Sequence, residues 1–165
     1  MSVQEMLEKV LKSYEVYYDV NRQPEPPFAA EAVFRSHNEQ FFLTRSAKIS
    51  EAESVEYVFY AAPDHLDVQT LQQLDQRAWS EGLSRVRTHG SHRNTDVTLV
   101  IVAGEMDGDA AAAVKKLRRY KSYRLGFQGW SNYRVIALEA SSGHLAFNRQ
   151  GQSLKKLFCN IVSNS

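Results

Sequence analysis

The chain has 165 residues, 43% hydrophobic and 24% charged, the proportions of a folded globular domain rather than of a disordered or fibrous one. No run approaches the roughly 18 apolar residues of a membrane span; Val97 to Ala103, for example, is strand-length and broken by Thr98. The net charge of +1 conceals a strong asymmetry: residues 1–110 carry 10 Lys and Arg against 18 Asp and Glu (−8), and residues 111–165 carry 10 against one acid, Glu139 (+9). Such a split points to an anionic partner or to self-association, not to a particular fold.

The start, Met1-Ser2-Val3-Gln4-Glu5, lacks the basic and apolar regions of a signal peptide. Ser2 and Glu5 instead form a capping-box pattern, followed at helical spacing by Val3, Met6, Leu7, Val10, Leu11, Tyr14 and Tyr17. The prolines within Asn21 to Pro27 end this helix. Strands are expected over Phe28 to Arg35, Gln40 to Ile49 and Val55 to Ala61, the last apolar on both faces and therefore interior. Asp67 is the expected N-cap of a second helix with Val68, Leu71, Leu74, Ala78 and Trp79 inward. Arg85 to Thr95 reads as a polar loop and Val97 to Ala103 as the central strand. A third helix runs from Asp107-Gly108-Asp109 through Tyr120, acidic first and basic last, as the helix dipole favours. Strands Tyr133 to Glu139 and Leu145 to Asn148 flank a turn at residues 140–144, and a last helix spans about Ser153 to Ile161. With no repeat or linker, the expected architecture is one α/β (α+β) domain over residues 1–165: a mixed five- to six-stranded sheet, helices on both faces, in the order α-βββ-α-β-α-ββ-α.

Helix, three strands, helix, strand, over residues 1 to about 104, resembles the core order of the restriction-endonuclease-like nucleases. That resemblance implies a divalent-metal nuclease or phosphodiesterase with an acid on the second strand and Asp/Glu-x-Lys on the third. Here the second strand offers Phe41-Phe42-Leu43-Thr44-Arg45, Ser46 stands two before Lys48, and Glu56 is followed by Tyr57-Val58, so the implied active site is degenerate. Separately, Ala47-Lys48-Ile49, Glu56-Tyr57-Val58-Phe59, Lys121-Ser122-Tyr123 and Gly126-Phe127-Gln128-Gly129-Trp130 are similar to an uncharacterised bacterial family of unknown function. This second resemblance implies no mechanism.

Chemistry is concentrated in Lys115-Lys116-Leu117-Arg118-Arg119-Tyr120-Lys121-Ser122-Tyr123-Arg124, six cations in ten residues, with Trp130 just beyond. Cations neutralise phosphates and exposed aromatics stack on bases, so Lys115, Lys116, Arg118, Arg119, Lys121, Arg124 and Trp130 are the candidate polyanion-binding residues. The competing reading is a solvated helix face over a core formed by Val114, Leu117 and Tyr120. His89 and His92 fall short of a metal-ligand set. Glu105, Asp107 and Asp109 follow the central strand, where open α/β sheets bind ligands, but Asp107 is accounted for as an N-cap and Asp109 as a first-turn acid. Cys159, beside the apolar stripe of the last helix, reads as a half-buried packing residue; as a single cysteine it forms no internal disulfide, which suits a cytoplasmic protein. No catalytic residue, metal or cofactor is assigned. The expectation is a non-enzymatic cytoplasmic binding domain for nucleic acid or an acidic protein, with no membrane partner. The alternatives are the nuclease-like enzyme and a charge-complementary homo-oligomer.

Overall fold

The computed structural model describes residues 1–35, 53–86, 92–123 and 129–165. The capping box forms: Glu5 N donates to Ser2 Oγ and Ser2 N to Glu5 Oε2, opening α1 (Val3–Glu15). Met6, Leu7, Val10, Leu11 and Tyr14 are buried along it, whereas Tyr17 lies beyond its end and is exposed. There follow β1 (Asp19–Asn21), β2 (Ala30–Arg35), β3 (Glu53–Ala61), β4 (His65–Leu66), α2 (Val68–Ser84), β5 (His92–Ala103), β6 (Glu105–Met106) and α3 (Gly108–Lys116). The chain continues through β7 (Tyr120–Ser122), β8 (Trp130–Glu139), β9 (Leu145–Phe147) and α4 (Lys155–Ser163), which a 3-10 turn over Gln150–Leu154 leads into.

The main sheet runs β1-β2-β3-β5-β8-β7, with β9 also on β8. β1, β2 and β3 are antiparallel neighbours, and β3, β5 and β8 are parallel. Crossover helices α2 and α3 pack on one face against Phe59, Val97, Leu99, Ile101 and Val135. Helices α1 and α4 cover Val58, Tyr60, Val100, Val102, Ile136 and Leu138 on the other. The α/β class, interior β3, central β5 and helices on both faces are thus as expected. Helix α2 lies so close to β5 that a Cβ on Gly82 would stand 2.4 Å from Val97 Cγ2. Asp67 caps it, accepting from Thr70 N at 2.7 Å. No helix among the described residues is long and apolar enough to cross a membrane.

Four expectations need correction. The sheet has seven strands among the described residues, not five or six, because β1 and β7 are three-residue edge strands too short to show an alternating pattern. The third helix stops at Lys116, since Leu117 turns extended (φ −65°, ψ 128°), and Tyr120 belongs to β7. Strand β5 begins at His92, inside the stretch read as a loop, because its polar residues pair with polar residues of β3 and β8. Cys159 is exposed rather than half-buried. The strand expected over residues 40–49 lies outside the described residues.

Candidate polyanion interface

The basic segment leaves α3 and runs along the edge of the sheet. Lys115, Lys116, Arg118 and Lys121 are exposed. Arg119 turns inward: its Nε and Nη2 donate to the two carboxylate oxygens of Asp75 at 3.0 and 2.9 Å. These bonds raise the Arg119 pKa further and fix the segment to α2. The Tyr133 hydroxyl, whose pKa burial also pushes up, donates to the Asp75 backbone carbonyl. Arg124 lies outside the described residues, and Trp130 opens β8, 38% exposed.

Tertiary structure adds Arg149. A cleft of about 260 Å³ separates the basic segment from the start of the 3-10 turn; Arg118, Tyr120, Asn132, Arg149 and Gln150 line it. Its floor is Asn148, which fills the gap on the edge of β8 between β7 and β9. Asn148 Oδ1 accepts from Val135 N and Gly151 N at 2.9 and 2.8 Å, and its Nδ2 donates to the carbonyls of Tyr133 and Leu117, both at 3.1 Å. An isolated arginine after the last strand gives no signal in the sequence; only folding sets it opposite Arg118.

A second polar group, missed in the sequence, lies on the α1/α4 face of the sheet, toward the starts of the parallel strands. Glu56 of β3 and Asp96 of β5 are ladder partners. Arg134 of β8 spans them, with Nη1 3.3 Å from Glu56 Oε1 and Nη2 2.9 Å from Asp96 Oδ2. The hydroxyls of Tyr18 and Thr98 also donate to Glu56, at 2.8 and 3.0 Å. Burial pushes the Glu56 carboxyl above its ordinary value of 4.5, against the opposing pull of these donors and Arg134. Because the folded state then binds the proton more tightly than the unfolded chain, this group's contribution to stability is full at low pH. It is lost as pH rises from about 4.5 through the folded-state value. Wild type should therefore lose stability relative to Glu56→Gln as pH rises. Urea unfolding across that range checks it; a constant difference contradicts it.

The remaining candidates are placed as follows. Asp107 occupies the N-cap position of α3 but makes no capping hydrogen bond there; its Oδ1 lies 2.8 Å from His65 Nε2, across the small β4–β6 ladder. Glu105 is solvent-exposed, and Asp109 is in the first turn of α3. Both crossovers step the same way, from β3 to β5 to β8, so among the described residues this edge lacks the reversal of strand order at which open sheets form a ligand crevice. His89 lies outside the described residues, and His92 opens β5. Among the described residues no group of three His, Cys, Asp or Glu side chains is placed to hold a metal ion.

No curated protein and no solved structure matches the chain. One family model does, over residues 2–160, nearly the whole length, so the chain belongs to the family described as a domain of unknown function, DUF8052.

Proposed function

We propose that this is a non-enzymatic cytoplasmic binding domain whose basic C-terminal third holds a polyanion, nucleic acid first among them. The observation that carries this is the meeting of Arg118 and Arg149 across one cleft, with exposed Lys115, Lys116 and Lys121 on the same basic segment. Residues 111–165 contain one acid, Glu139, whose Oε2 is occupied by the Met106 amide. Among the described residues, acids of the first part of the chain pair with Arg119 and Arg134 rather than with the five cations named here, and released counterions would drive association. The nuclease-like alternative has weaker support, because Glu56 and Asp96 already bind Arg134.

Fluorescence anisotropy of labelled DNA and RNA, at low and near-physiological salt, tests the proposal. Five engaged cations predict a slope of log affinity against log salt of about −3.5 for single strands. Changing Lys115, Lys116, Arg118 and Lys121 together to Glu should abolish binding. Unchanged binding in that variant, or none in wild type at low salt, overturns the reading. A salt-sensitive dimer in light scattering, without oligonucleotide binding, would instead assign the surface to the acidic part of a second copy.

A further inference from the structure

Tyr120 is one of the most exposed large hydrophobic side chains among the described residues, at 64%, and Trp130 is exposed at 38%. Their placement follows from the β7–β8 register, in which Tyr120 opposes Asn132 and Ser122 opposes Trp130. Directly opposed residues share a face, so Tyr120 and Trp130 stand diagonally on one face of the ladder, roughly 7–8 Å apart. This is the α1/α4 face, but those helices pack farther along the strands, over Val100, Val102, Ile136 and Leu138. Tyr120 and Asn132 also line the cleft between Arg118 and Arg149, so the aromatic pair and the cationic cleft form one continuous surface.

We infer that this surface binds single-stranded nucleic acid, with phosphate in the Arg118–Arg149 cleft and successive bases stacked on Tyr120 and Trp130; this rests on the polyanion reading above. Charge complementarity brings the phosphates, but a duplex keeps its base faces stacked internally and cannot use an aromatic platform. An open strand can splay its bases onto ring faces, whatever their sequence.

The test uses the full chain and four labelled probes of equal length: oligo-dT, oligo-rU, a DNA duplex and an abasic phosphodiester. Anisotropy should show single strands bound at least about tenfold more tightly than duplex or abasic probe. Tyr120→Ala with Trp130→Ala should weaken single-strand binding by about thirtyfold or more, a larger loss than it causes in duplex binding. Tyr120→Phe, which keeps the ring, should bind as wild type. In a Trp79→Phe background, oligo-dT should quench Trp130 fluorescence and the abasic probe should not, a readout that needs no change to the platform. Equal affinity for single strands and duplex, no quenching, or undiminished single-strand binding by a folded double-alanine variant overturns the inference. If Arg118→Glu with Arg149→Glu nonetheless removes binding, the polyanion reading survives alone. Failure of wild type to bind any of the four probes ends both. The oligo-dT and oligo-rU arms separate DNA from RNA as the preferred strand.

Discussion

Asn148→Ala should lower the free energy of unfolding by about 4 kcal/mol, measured by chemical denaturation, the largest loss expected from a polar substitution in this chain. Asn148 is 2% exposed. Its amide group satisfies four backbone groups that neither β7 nor β9 reaches, namely the N–H of Val135 and Gly151 and the carbonyls of Leu117 and Tyr133. Truncation strands the two N–H groups, each at about 1–3 kcal/mol. It also removes the tie between Leu117 and β8, and with it the constraint that sets Arg118 opposite Arg149. Loss of stability should therefore be accompanied by weaker polyanion binding, even under conditions where the variant is fully folded. Asn148→Asp separates the two halves of the amide: it keeps an acceptor for both N–H groups but turns a carboxylate toward two carbonyl oxygens. It should recover stability as pH falls and the carboxyl protonates, whereas the alanine variant should not. A mild effect of Asn148→Ala, below about 1 kcal/mol, would show that solvent in the cleft replaces the amide.

Arg134→Met should cost about 3 kcal/mol, the low end for breaking a buried charge pair because the arginine retains a solvent-facing edge. Glu56 and Asp96 are each nearly buried, and their side chains are neighbours in the parallel ladder. Without the guanidinium they must repel each other or take up protons. The loss should shrink as pH is lowered, and adding Glu56→Gln and Asp96→Asn should restore most of the stability by removing the stranded charges. A loss that the two neutralising changes do not reverse would place the role of Arg134 in packing of its alkyl stem rather than in charge compensation. The contrast with Glu56→Gln alone is informative: that variant removes one carboxylate and leaves Arg134 paired with Asp96.

These two residues mark where the sequence stops being readable. Local patterns sufficed wherever burial follows a regular period. The helical stripe from Met6 to Tyr14, the Asp67 cap, the doubly apolar β3 and the apolar run of β5 are each written within a few residues of one another. The basic segment was equally visible, because composition needs no fold. The polar beginnings of β5 and β8 were not. Asn94, Asp96 and Asn132 carry no apolar pattern and fall outside the expected strands; they lie in strands because Glu56, Asp96 and Arg134 neutralise one another across three strands drawn from distant parts of the chain. Edge strands β1 and β7 were hidden for a related reason: three residues carry no period, and their partners supply the hydrogen bonds. The sequence by itself determined the α/β class, the two apolar faces and the charge asymmetry, since these are sums over local side-chain chemistry. The tertiary structure alone decided that Arg119 is spent on Asp75, that Arg149 joins Arg118, and that Tyr120 and Trp130 share a face, because each depends on which residues strand pairing and packing bring together.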